Sequence, residues 1–187
     1  MEKLLLYLNS IHPLSSALIE HLQAILKMKE LPKKAYLLKQ GSVCTNISFI
    51  ERGLLRCYYE KDDKEVCSWF MKEGNVIISV ESFFKQSISN ENIQALEECV
   101  LYYINYNELQ YIYRHFAEFN FIARVLTEQY YTLSEQRLYS IRMQRGYERY
   151  QYLLDHFPEL VQRVSSKYIA SYLGVAEETL SRVRSRK

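Results

Sequence analysis

Hydrophobic and polar positions change rhythm twice along this chain. In residues 13–28, Leu18, Leu22, Ile25 and Leu26 fall at helical spacing behind Pro13, and Leu31-Pro32 closes the segment. From Lys33 to about Tyr106 the runs shorten: KKAYLLKQG, NISFIERG, LLRCYYE, KEVCSWF, NVIISV, NIQALEE and CVLYYINY are rich in β-branched and aromatic residues. QGS, ERG, KDDK and KEGN part them. Turn signals at intervals of about 8–12 residues predict a small antiparallel sandwich or barrel. EKDDKE, between two strand runs, reads as a hairpin tip.

After Asn107 the helical period returns. Residues 117–144 contain no Pro or Gly, and Phe119, Ile122, Leu126, Tyr130, Leu133, Arg137 and Ile141 fall near one stripe. A helix of roughly 25 residues is about 38 Å long. The stripe fits packing on the chain's own sandwich. It fits better pairing with a second copy, because it outlasts what one small barrel can cover. Gly146 breaks the pattern, YERYQYLLDHFPEL reads as a helix stopped at Phe157-Pro158, and two helices follow over 166–173 and 176–187. The expected plan is therefore a β-rich domain over 1–115, a long dimerisation helix over 116–144, and a three-helix domain over 145–187.

Charge sharpens this plan. The net charge is only +2, but residues 137–187 hold 10 Lys/Arg against 5 Asp/Glu, and the rest of the chain holds 14 against 17. A basic, arginine-rich end fits a polyanionic partner; it fits equally a solvated basic surface. Cysteines at 44, 57, 67 and 99 form no C-x-x-C pair, and histidines at 12, 21, 115 and 156 are as scattered, so no metal site is expected and the cysteines read as small buried apolar residues. No apolar run approaches the ~20 residues of a bilayer helix. The first residues carry Glu2 beside Lys3 without a cleavage pattern, so no signal peptide is read and a cytoplasmic location is expected. There is no nucleophile–base constellation and no Gly-rich phosphate loop, so no catalytic residue is assigned and an enzyme is not expected. The 17 tyrosines read as core and interface.

The end of the chain, SKYIASYLGVAEETLSRVRSRK, carries the most specific pattern. Numbered from Ser166, a helix-turn-helix needs apolar residues at its fourth, eighth, tenth, fifteenth and eighteenth positions, and Ile169, Leu173, Val175, Leu180 and Val183 stand there. Ala170 supplies the small residue where the helices cross, and Gly174 the left-handed turn. On the second helix Glu178, Ser181, Arg182 and Ser185 share a polar face at i, i+3, i+4 and i+7. In a major groove Arg can fork onto guanine and Glu can accept from cytosine. Arg184, Arg186 and Lys187 lie further along and suit phosphate. The expected DNA contacts are Ser166, Lys167, Glu177, Glu178, Thr179, Ser181, Arg182, Ser185 and Arg186.

Sandwich, long helix and terminal helix-turn-helix, in that order, resemble the Crp/Fnr family of bacterial transcription regulators over nearly the whole chain. LLKQG with ISFIERGLLRCYY resembles the family's first β-roll turns, FMKEGNVI the approach to its effector pocket, and EETLSR its R-E-T-V-x-R recognition-helix signature. The resemblance implies an α+β fold: a jelly-roll-like, cyclic-nucleotide-binding-like β-roll, a long dimerisation helix and a C-terminal helix-turn-helix domain. It implies that Glu178 and Arg182 read bases and that Thr179 contacts phosphate. Glu177 stands where the family has its first Arg, so a different half-site sequence is expected. The pocket departs further. Ile78-Ser79 stands where cyclic-AMP binders have Gly-Glu, Glu81 is displaced by two, and no arginine occurs between Arg56 and Arg114. Lys85 could stand in for the phosphate-binding arginine but lacks its fork. Ser79, Glu81 and Lys85 are the candidate effector-pocket residues, with cyclic AMP not expected and no cofactor assigned. No cysteine precedes Cys44, so the family's iron–sulfur cluster is not expected either, and no β-wing is read after the recognition helix.

The resulting expectation is a homodimeric, sequence-specific DNA-binding transcription regulator. Its partners would be double-stranded DNA and RNA polymerase, with a small-molecule effector in the β-roll that is unknown or absent, and no membrane. The rival is a ligand-binding β-roll whose C-terminal helices contact protein instead of DNA.

Overall fold

The computed structural model describes residues 1–185. Helix α1 (Glu2–Ile11) buries Leu4 and Leu8, one turn apart, and the N-terminal ammonium reaches the Glu51 carboxylate at 3.3 Å. Helix α2 (Ser16–Ile25) begins where the Ser15 hydroxyl accepts from the Leu18 N–H, and it buries Leu18 and Leu22 on one face. It is shorter than the sequence predicts. The chain leaves it at Leu26 and becomes strand β1 (Lys27–Leu31), which pairs antiparallel with the last strand. Helical spacing of Ile25 and Leu26 hid that change of direction.

Strands β2 (Tyr36–Leu38), β3 (Asn46–Arg52), β4 (Leu55–Lys61), β5 (Lys64–Met71), β6 (Val76–Ile77), β7 (Glu91–Ala95) and β8 (Cys99–Asn105) follow the predicted runs. They form two four-stranded antiparallel sheets, in the orders β1-β8-β3-β6 and β2-β7-β4-β5, which make a β-roll. Asp62 and Asp63 at the β4–β5 tip both take positive φ, as a tight hairpin turn requires. The expected strand NVIISV stops at Ile77. Helix α3 (Val80–Lys85) takes over and ends on Gln86 in the left-handed conformation. Helix α4 (Tyr106–His115) opens on a full capping box, with Asn105 and Glu108 bonding each other's backbone N–H. A break at Phe116 separates it from helix α5 (Ala117–Met143).

The chain divides into two compact units, residues 1–57 with 71–128, and residues 58–70 with 129–187. In the first, Leu18, Ile50, Leu54, Leu55, Leu101 and Ile112 are fully buried. The second contains helices α6 (Gly146–His156), α7 (Pro158–Arg163), α8 (Ser166–Leu173) and α9 (Glu177–Ser185) after the end of α5. After α5 there are thus four helices among the described residues where the sequence predicts three. Pro158, read as a stop, is a start: at N1 its missing N–H costs nothing. All four cysteines are buried, and none of them forms a disulfide among the described residues.

Candidate nucleic-acid interface

Helices α8 and α9 are joined by a turn that the backbone fixes. Gly174 sits at φ 65°, ψ 39°, and the Val175 N–H reaches back to the Ala170 carbonyl at 3.0 Å. Ile169, Ala170, Leu173 and Leu180 are all buried, so the two helices meet on their apolar faces. Val175 and Val183 are half-buried. The Ala170 methyl keeps the crossing close, and Glu177 and Glu178 occupy the first turn of α9, where the helix dipole favours negative charge.

That packing turns one side of α9 outward. Glu177, Glu178, Ser181, Arg182 and Ser185 are exposed, as are Ser166 and Lys167 at the start of α8, and Thr179 is half-buried. Arg182 reaches the Glu178 carbonyl and the Thr179 hydroxyl at 3.4 Å each, at the edge of hydrogen-bond range. No ion pair joins the Glu178 carboxylate to the Arg182 guanidinium among the described residues. Arg186 and Lys187 lie outside the described residues. Arg184 behaves differently: its guanidinium donates to the Ser166 hydroxyl at 2.7 Å and lies 5.8 Å from the Tyr150 ring. One of the expected phosphate contacts therefore ties α9 to the start of α8 and to α6.

Two other arginines of the basic segment hold the turn. Arg149 donates from Nε to the Leu173 carbonyl at 2.7 Å and from Nη1 to the Gln144 carbonyl. Arg137 donates to the Tyr172 carbonyl and lies 3.7 Å from the Tyr172 ring, and burial lowers its affinity for its proton. The last carbonyls of α8 have no helical partners, and cations at that end offset the dipole. On the other side of α8, the Ser171 hydroxyl donates to the Glu65 carbonyl at 2.8 Å and accepts from the Cys67 N–H at 2.9 Å. Arg149 and Ser171 carry no periodic signal and were not readable from spacing, and Arg137 stood in the periodic stripe with nothing to mark this contact.

Residues 28–116 match the family model of the cyclic nucleotide-binding domain. FixK2 from Bradyrhizobium japonicum is similar in structure at 17% identity and TM-score 0.73, over 87% of this chain and 84% of that one. A mutant of CooA from Carboxydothermus hydrogenoformans aligns at 17% identity and TM-score 0.72, over 96% and 82%. A protein of Eubacterium rectale assigned to the Crp/Fnr regulators aligns at 18% identity and TM-score 0.70, over 91% and 82%. The fold is that of the Crp/Fnr transcription regulators. No curated protein sequence matches the chain.

Within this Crp/Fnr fold, the three effector-pocket candidates separate. Glu81 and Lys85 lie on the outer side of α3, about 70% exposed, and pair with each other at 2.8 Å. Ser79 is buried, and its hydroxyl lies 3.1 Å from that of Ser89. The Ser89 hydroxyl also donates to the Glu91 carbonyl. Burial pushes the Glu91 carboxyl above its ordinary range, against a smaller opposing effect of the Ser79 hydroxyl. Ser89 and Glu91 were not among the sequence candidates. Nothing in their spacing sets them apart from strand residues.

Proposed function

We propose that the chain is a sequence-specific DNA-binding regulator that acts as a homodimer, with α9 as its reading helix. The observation that carries this is the exposed polar face of α9: Glu178 and Arg182 stand exposed, one turn apart and with no ion pair between their side chains among the described residues, on a helix whose opposite face is locked by Leu180. A face built only for packing would bury or pair such groups. The regulator fold and the basic balance of residues 137–187 support the same reading. For dimerisation, the support is α5, where Tyr131, Leu133, Leu138, Tyr139 and Ile141 are exposed apolar residues on a single helix.

A cyclic nucleotide is not part of this proposal. Its phosphate is an anion that requires a charge-assisted partner when buried. The residues around Ser79 supply two hydroxyls already bonded to each other and a carboxyl, while Lys85 is held outside by Glu81.

Selection of bound duplexes from a random pool, followed by titration of the winner, tests the DNA reading. A palindromic consensus is expected, with half-sites about one helical turn, ~34 Å, apart. Arg182→Ala should cost about 1–3 kcal/mol on that duplex and relax preference at one position. An equal loss on random DNA would remove the base-reading role.

A further inference from the structure

A helix leaves its last four carbonyls without helical partners, and in α8 these belong to Ala170, Ser171, Tyr172 and Leu173. The chain itself serves two of them. The Val175 N–H reaches the Ala170 carbonyl at 3.0 Å, and the Gly174 N–H reaches that of Ser171 at 3.1 Å. The other two are taken by side chains from other helices. Arg137 of α5 donates to the Tyr172 carbonyl, and Arg149 of α6 donates to the Leu173 carbonyl.

Arg149 does more than cap. Its Nη1 also donates to the Gln144 carbonyl, one residue past the end of α5, at 2.5 Å. One planar group thus holds the end of α5 and the end of α8 together. A lysine ammonium, a point charge on a flexible stem, would not fix both. Ile141 of α5 comes close as well: its Cδ1 lies 3.8 Å from where a Cβ on Gly174 would stand. Residues 129–143 of α5 and helices α6–α9 belong to one compact unit. Neither Arg137 nor Arg149 pairs with a carboxylate among the described residues, and Arg149 lies near enough to Arg137 to disfavour its charge. Capping alone would be met by water or by one cation. Two like charges brought side by side do something further: they tie α8 to α5 and to α6.

We infer that Arg149 is a positioning residue: it fixes the angle between α5 and the α8–α9 pair, and so sets the half-site separation that a dimer accepts. This rests on the proposal that α9 reads DNA and α5 forms the dimer. In such a dimer α5 runs beside the two-fold axis, and each reading helix is placed by whatever joins it to α5. A joint with play accepts several separations. One added base pair moves a half-site by about 3.4 Å and turns it by about 35°, and a clamped joint does not follow. Base identity and half-site separation are then read by different residues, Arg182 for the first and Arg149 for the second.

The test uses the full chain in two arms. In the first, the selected duplex is remade with its spacer one base pair longer and one shorter. The wild-type chain should lose about tenfold or more in affinity for either. Arg149→Ala should narrow that loss to about threefold or less while keeping the same preferred bases, because a loosened joint is no longer preorganised for one spacing. Arg182→Ala should do the reverse. In the second arm, without DNA, residual dipolar couplings are measured for the backbone amides of residues 131–143, α8 and α9. One alignment should fit all of them in the wild type, and α8–α9 should need a separate one in Arg149→Ala. Arg149→Lys, which keeps the charge and loses the fork, should show both changes in smaller measure, and it replaces the alanine variant if that does not fold. Failure to select any palindromic consensus would remove the DNA reading, and the second arm would still decide whether Arg149 sets the angle. A wild type indifferent to spacer length, an undiminished spacer penalty in both variants, or one shared alignment in both would each overturn the inference.

Discussion

At the scale of single residues, the basic end of this chain divides its arginines between two tasks. Arg137, Arg149 and Arg184 are turned inward, onto the Tyr172 and Leu173 carbonyls and the Ser166 hydroxyl. Arg182 is left outward, with only long contacts of 3.4 Å to the Glu178 carbonyl and the Thr179 hydroxyl of its own helix. An Arg→Lys change should therefore be costly at Arg149, where one planar group serves the Leu173 and Gln144 carbonyls. A second residue-scale consequence concerns Glu91. Its folded-state proton affinity is raised, chiefly by burial. The folded state thus binds this proton more tightly than the unfolded chain does, and the associated stability is complete below the ordinary glutamate range. It is lost as pH rises through the folded-state value. Urea unfolding followed from acidic to neutral pH should show that decline, and Glu91→Gln should flatten it. An unchanged slope in the variant would place the titration elsewhere. At this scale the sequence was informative where chemistry and spacing coincide, as at the Gly174 turn and in the exposure of Glu178 and Arg182, whose role in reading bases belongs to the proposal. It was silent on Ser89 and Glu91, whose surroundings arise from strand position and burial.

At the scale of elements, legibility followed length and punctuation. The β-roll strands were readable because turns such as KDDK interrupt them at short intervals. The long helix was readable because nothing interrupts it. The elements that escaped were short or sat behind an ambiguous signal: α3 has six residues inside an apolar run, α1 surrounds a patch too small to show a period, and α7 begins on a proline that equally well ends a helix. Packing between elements adds a constraint that no pattern reveals. A Cβ on Gly146, at the start of α6, would lie 2.7 Å from Val175 Cγ1 in the α8–α9 turn. Gly146→Ala should therefore destabilise the second unit by about 1–3 kcal/mol through overpacking. In a double-mutant cycle read by thermal or chemical denaturation, Val175→Ala should recover part of that loss. Strict additivity would show that the two residues do not meet.

At the scale of the whole molecule, α5 is the element with most left to explain. Twenty-seven uninterrupted helical residues bury Phe119 and Ile122 near their start, then present Leu133 at 45% and Ile141 at 42% exposure. In the proposed dimer those residues meet their counterparts. Leu133→Asp should shift the sedimentation coefficient to that of a monomer and weaken binding to a two-half-site duplex far more than to a single half-site. A variant that remains dimeric would remove α5 residue 133 from the interface. DNA affinity should also fall steeply with added salt, because phosphate contacts release counterions. One small contact reaches further than its size. The Ser171 hydroxyl occupies both a carbonyl and an N–H of β5, the last strand of its sheet. Unpaired strand borders invite other chains to add on, which is how many sheet proteins begin to clump. Here α8, which packs against the proposed reading helix α9, also shields part of that border, so damage to α8 would threaten solubility along with the proposed recognition.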